Sequence, residues 1–107
     1  MVSERIKKAI QFYKKDLEKR IRIEKIILFG SYAKGKFMKD SDIDLIVLSR
    51  DFSRMDPDRR LDLLQRARVN PKTWDYGMDI FGFTPKESNK ASRLNTLSEI
   101  KRSGLVI

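Results

Sequence analysis

Ile6, Ile10, Tyr13, Leu17 and Ile21 recur at helical spacing with Lys and Arg between them, behind Ser3, a residue type that caps helices. The spacing predicts an amphipathic first helix. The period then changes. Glu24 to Phe29 reads EKIILF and Ile43 to Leu48 reads IDLIVL, apolar runs that predict two strands. Asp56-Pro57 is an N-cap with proline at the first helical position, and Leu61, Leu64 and Ala67 carry that helix toward Pro71. Tyr76 to Phe83, YGMDIFGF, predicts a third strand, so that Phe29, Leu45, Val47 and Ile80 are expected to be buried within strands and Trp74, in the loop before the third, at least partly exposed. Thr84-Pro85-Lys86-Glu87 fits a capping box. A helical pattern then runs through Leu94, Leu97 and Ile100, with a break near Asn95, and Gly104 can end it. Leu105-Val106-Ile107 can add a short edge strand. Strands alternating with helices predict one α/β domain over residues 1–107 (α+β by some schemes).

Two carboxylates interrupt this pattern. Asp42 and Asp44 stand in and beside a segment that otherwise reads as a buried strand. Charges are rarely buried unless they are paired or hold a metal. The plain reading is the wet face of an antiparallel strand, with Ile43 and Leu45 turned inward. DLIVL leaves little polar face beyond the two acids, which argues against it. Asp79 repeats the grammar, since Met78-Asp79-Ile80 matches Ile43-Asp44-Leu45 in being apolar, Asp, apolar.

Composition narrows the chemistry. The 107 residues contain no Cys and no His. That excludes a disulfide framework, a thiolate zinc site and the commonest general base. Catalysis must use carboxylates, Lys, Tyr, Ser or a bound ion. The net charge is +9, yet residues 73–84 carry only Asp75 and Asp79 and residues 26–49 are balanced. An anionic site in a basic frame suits a metal with a phosphate-bearing ligand. A solvated basic surface explains the Lys equally well, but not the Asp. No run of 18 apolar residues predicts a membrane span, the first residues lack a signal-peptide core, and the expected location is cytoplasmic.

The loop between the first two strands fits two familiar motifs badly. Gly30-x-x-x-x-Gly35-Lys36 opens like a P-loop, but Phe37 stands where Ser or Thr should hold Mg²⁺, and a strand follows too soon for the required helix. Asp40-x-Asp42-x-Asp44 opens like a calcium loop, but Leu45 replaces the glycine and Asp51 the final Glu. A third arrangement fits better. On a strand, Asp42 and Asp44 point to one face about 7 Å apart. They could grip Mg²⁺, which takes one or two carboxylates plus substrate phosphates. Gly30-Ser31 would open a short helical turn whose free N–H groups, with the Ser31 hydroxyl, cradle a phosphate. Asp79 on a neighbouring strand completes a two-metal site in outline.

At these residues the sequence resembles the DNA polymerase β-type nucleotidyltransferase superfamily. The signature stands here as Phe29-Gly30-Ser31, ten residues, then Asp42-Ile43-Asp44-Leu45. GSYAKG and SDIDLIV are especially similar to the minimal, stand-alone nucleotidyltransferases of prokaryotes. The resemblance spans roughly residues 20–104. It implies a small mixed three-stranded sheet flanked by helices, and transfer of a nucleoside monophosphate, AMP from ATP first among them, to an acceptor hydroxyl. It implies that Asp42 and Asp44 ligate two Mg²⁺ ions, that Asp79 ligates the catalytic ion and helps activate the acceptor, and that Gly30 and Ser31 hold the triphosphate. Lys34 stands where the family loop often has Arg, and keeps the charge without the bidentate fork. Lys34, Lys36 or Lys39 could touch the leaving pyrophosphate, although a solvated loop accounts for each singly.

The resemblance also implies a partner. Many such proteins pair with a helical HEPN-type toxin, and some adenylylate one of its tyrosines. At this size the acceptor is expected to come from that partner or from a homodimer mate. The alternative function is a non-catalytic, antitoxin-like subunit that neutralises its partner by contact. Nucleic-acid binding rests on charge alone, without stacking platforms or a reading motif, and ranks last.

Overall fold

The computed structural model describes residues 3–38, 41–91, 100 and 102–107. Helix α1 spans Glu4–Leu17, strand β1 Lys25–Phe29, helix α2 Gly30–Lys34 and strand β2 Ile43–Leu48. A 3-10 turn, Arg50–Arg54, leads to helix α3, Pro57–Arg66, and a second, Pro71–Thr73, leads to strand β3, Met78–Phe83. Helix α4, Pro85–Ala91, and strand β4, Leu105–Val106, follow. The sheet order is β3-β2-β1-β4. Strand β1 is antiparallel to β2 and β4, and β2 is parallel to β3. The expected three strands are therefore joined by a fourth, the edge strand for which Leu105-Val106 has the right pattern.

Local chemistry sets the element ends. The Ser3 hydroxyl accepts the Ile6 N–H at 3.3 Å, Glu4 lies in the first turn of α1 and Lys14 and Lys15 in the last, all favourable to the helix dipole. The helix stops at Leu17, so Ile21 lies beyond it, though still buried. Asp56 caps α3 through the Arg59 N–H at 2.8 Å, with Pro57 in the first turn. Thr84 and Glu87 exchange both bonds of a capping box, Thr84 N–H to Glu87 Oε1 at 2.8 Å and Glu87 N–H to Thr84 Oγ1 at 3.0 Å. Gly104 N–H donates to the Ile100 carbonyl at 2.7 Å just before β4. The helical positions Leu94 and Leu97, and the break near Asn95, lie outside the described residues.

The two faces of the sheet differ. One is packed by α1, α2 and α3 into a core of Ile10, Tyr13, Leu28, Leu45, Val47 and Ile80, among others. The Tyr13 hydroxyl donates to the Leu64 carbonyl at 2.8 Å, which ties α1 to α3. Each large apolar side chain buried here contributes about 1.5–3 kcal/mol. Among the described residues the other face carries a second cluster, Ile27, Ile46 and Leu48, with Phe29, Phe83 and Ile100 half-buried against it. Phe29, expected to be buried, is half-buried at the end of β1, packed against this second cluster. Leu61, expected on the apolar stripe of α3, is 51% exposed, since Leu64 and Ala67 face the core and Leu63 flanks them. Leu45, Val47 and Ile80 are buried and Trp74 is 63% exposed, as the pattern predicted.

Candidate active site

The topology gathers one end of three strands. The last residue of β1, Phe29, pairs with Asp44, the second residue of β2. Asp44 in turn pairs with Asp79, the second residue of β3. Asp42 precedes β2 and stands across from Gly77, whose carbonyl accepts the Ile43 N–H at 2.8 Å. Helix α2 starts at the same end. Of the residues singled out from the sequence, Gly30, Ser31, Asp42, Asp44 and Asp79 all meet here. Lys34 is exposed at the far end of α2, and Lys39 lies outside the described residues.

Two glycines make room for two carboxylates. Gly30 has φ +74°, a conformation that other residues rarely adopt, and a Cβ there would fall on Asp44 Oδ2. Gly77 has no unusual φ, but a Cβ there would fall on Asp42 Oδ1 and stand 2.9 Å from Cγ. Gly30 follows the expected glycine pattern. Gly77 does not stand out in the sequence, because its meaning lies in its register with Asp42.

The carboxylates are not equivalent. Asp42 and Asp79 are exposed, whereas Asp44 is half-buried between them. Burial first, then the charges of Asp79 and Asp42 and a hydrogen bond with Asp79, push the Asp44 carboxyl up from 3.8 to about 6. The plain reading of a wet strand face accounts for exposed Asp42 and Asp79. It does not account for Asp44 and Asp79 set in register, or for a glycine beside each of Asp42 and Asp44.

Among the described residues no three acidic side chains close into a cage for an ion. Mg²⁺ does not need one, because it takes few carboxylates and completes its shell with water and substrate phosphates. An oxygen-only donor set, with space held open by Gly30 and Gly77, fits such an ion.

Aromatic rings border the site. Tyr32, in α2, is buried and stacks on Phe37, with ring centroids 4.7 Å apart. Burial, then Tyr76 and Asp42, raises its hydroxyl above the ordinary tyrosine value. On the face of the second cluster Phe29 and Phe81 form a tilted pair, 6.3 Å between centroids. Arg68, unremarked in the sequence, donates from Nη2 to the carbonyls of Thr73 at 2.8 Å and Tyr76 at 2.7 Å, and so pins the segment that delivers Gly77. A wide cleft of about 940 Å³ lies at the opposite end of β1 and β2, but there Arg50 already pairs with Glu24 at 2.9 Å.

A small mixed sheet thus gathers acids at its strand ends beside a glycine-opened turn. The model of the nucleotidyltransferase domain matches residues 6–102, and the chain belongs to that family. It is 39% identical over 44 residues to the protein adenylyltransferase MntA of Thermococcus cleftensis, a segment covering 41% of this chain and 44% of that one. The chain matches only 29% to 49% of the length of its curated relatives. Among solved structures, a provisionally assigned nucleotidyltransferase from Sulfolobus solfataricus superposes with TM-score 0.60 at 16% identity, covering 99% of this chain and 87% of that one. The structure of a toxin-antitoxin with AMP-PNP superposes with TM-score 0.53 at 22% identity, covering 87% and 78%. These two likenesses concern the fold.

Proposed function

We propose that the protein transfers a nucleoside monophosphate, AMP from ATP, to an acceptor hydroxyl carried by a partner protein. The observation that carries this reading is the register of Asp44 with Asp79 across β2 and β3, at the end of the sheet where Gly30-Ser31 opens α2. In this reading Asp42 and Asp44 hold two Mg²⁺ ions and Asp79 shares the catalytic one. Bound Mg²⁺ supplies the charge neutralisation that phosphoryl-type transfer needs. Ser31 donates its hydroxyl to the triphosphate, and Gly30 lets the backbone approach it. Lys34 adds a point charge near the leaving pyrophosphate. In the same reading Asp79, exposed near the start of β3, helps activate the acceptor hydroxyl.

The acceptor fits a tyrosine of a HEPN-type helical toxin, which would make this chain the antitoxin and place both in the cytoplasm, where ATP is. Among the described residues no helix is long and apolar enough to cross a membrane. The naming of MntA as a protein adenylyltransferase and the toxin-antitoxin neighbour support this choice.

The test is incubation with α-labelled ATP and Mg²⁺, with the product of the neighbouring gene or with lysate. A labelled protein band that disappears in Asp44→Asn and Asp79→Asn is expected. Copurification with a partner but no label from wild type would replace this reading with a contact-only antitoxin.

A further inference from the structure

The Tyr32–Phe37 stack has no part in the reaction as proposed. Tyr32 is anchored in the core, only 6% exposed. Phe37 lies on it with planes 19° apart, so one face of Phe37 is covered. The residue is still 46% exposed, so its other face is open to solvent. An exposed phenylalanine alone means little. What sets Phe37 apart is how it is held and where. Met38 N–H donates to Ser41 Oγ at 2.7 Å, and Ser41 N–H donates to the Met38 carbonyl at 3.0 Å. That reciprocal pair ties Met38 to Ser41, the residue before Asp42. From below, Tyr32 lies close enough to Asp42 for its hydroxyl to feel the charge. Gly30-Ser31 opens the same short helix that carries Tyr32. Phe37 is thus joined to the proposed triphosphate seat through Tyr32 of the same short helix, and to the first carboxylate through the Met38–Ser41 pair.

We propose that the open face of Phe37 seats the base of the nucleoside triphosphate, with a purine favoured for its larger ring overlap. This rests on the nucleotidyl-transfer reading. A ring already fixed by a stacked neighbour loses little freedom when a base lies on it, so the contact is preorganised. Every base has a π-face, so the platform binds a class of ligand and grades it by stacking strength. Met38, 77% exposed beside it, offers a polarisable side chain to the edge of the base.

The test compares two ligands in the presence of Mg²⁺, titrated by calorimetry into wild type, Phe37→Ala and Phe37→Trp. One is an ATP analogue with a carbon bridge between the α and β phosphorus atoms. The other is inorganic tripolyphosphate, which has no base. Wild type is expected to bind the analogue more tightly than tripolyphosphate. Phe37→Ala should lose roughly tenfold in affinity for the analogue, on the order of one base–aromatic stack, and bind tripolyphosphate as wild type does. Phe37→Trp should keep the affinity for the analogue. Unchanged binding of the analogue by Phe37→Ala overturns the inference, and so does equal loss of both ligands, which would mean a disordered loop. Wild type binding both ligands equally overturns it and leaves the triphosphate site standing. Wild type binding neither removes the nucleotidyl-transfer reading itself.

Discussion

Asp44 and Asp79 are register partners across the parallel β2–β3 pair, and Asp44, the more buried of the two, has its carboxyl pushed up to about 6. A sheet built only for stability would not set two carboxylates opposite each other, since like charges in register are destabilising. Their repulsion is useful only if something positive arrives between them.

Asp44→Asn separates these effects. The substitution removes repulsion and a proposed metal ligand at nearly constant shape. In EDTA the variant is expected to melt at or above the wild-type temperature. With Mg²⁺ and ATP the order should reverse, because ligand binding to the native state stabilises only the wild type appreciably. Thermal melts of both proteins in both buffers decide it, and full Mg²⁺–ATP stabilisation surviving in the variant would refute the assignment.

The same carboxyl predicts a pH trend for the metal-free protein. Its folded-state value is above the unfolded one, so its contribution to stability is full below about pH 4 and is lost as pH rises through about 6. In EDTA the wild-type melting temperature should therefore fall, relative to Asp44→Asn, between pH 4 and pH 7. A difference that stays flat across that range would show that Asp44 titrates normally.

The two glycines should respond differently to alanine. At Gly30 a Cβ meets both a positive φ and Asp44, so Gly30→Ala should cost on the order of 1–2 kcal/mol in any buffer. At Gly77 only the end of the exposed Asp42 side chain is in the way, and it can swing aside. Gly77→Ala should melt within about 0.5 kcal/mol of wild type in EDTA yet lose most of the gain from Mg²⁺–ATP. Equal Mg²⁺–ATP stabilisation in Gly77→Ala and wild type would dissociate Asp42 from the site.

Arg68 should matter for fold and site together. Arg68→Met leaves the Thr73 and Tyr76 carbonyls without their charged donor and should cost on the order of 2–3 kcal/mol. Arg68→Lys, which can still reach one carbonyl, should recover part of that. Urea unfolding curves of the three proteins measure it. An unchanged midpoint in Arg68→Met would show that the Thr73–Tyr76 segment holds itself.

Much of this was legible in the sequence, for identifiable reasons. Strand β2 spans the predicted residues because β-branched and apolar side chains are unbroken on both faces beyond Asp44. The caps at Ser3, Asp56 and Thr84–Glu87 are local chemistry and appear where the residue types place them. The acids and Gly30-Ser31 were legible because a charge in a strand and a glycine at its end break a pattern. Leu61 and Phe29 were misjudged because period alone does not say which positions of an element the rest of the fold covers. Gly77 and Arg68 were missed because each acts on a residue distant in the chain or through a main-chain carbonyl, and neither leaves a periodic mark. Phe37 drew notice only for failing to be the serine of a P-loop. Its stack on Tyr32 is a tertiary fact.

Strands β2 and β3 are neighbours in the sheet but not in the chain, with residues 49–77 and all of α3 between them. Strands β1 and β2, by contrast, pair across one short loop and helix. Closing the longer connection to make a parallel pair is the slower kind of step in folding. Asp44 therefore meets Asp79 only when β3 docks, and their repulsion opposes that docking. In EDTA, Asp79→Asn should refold faster than wild type in stopped-flow mixing, with unfolding changed less. A change confined to slower unfolding would mean that the contact forms after the barrier. The acids at the strand ends thus slow the chain's own assembly, and a nascent chain holds half a site until its third strand arrives.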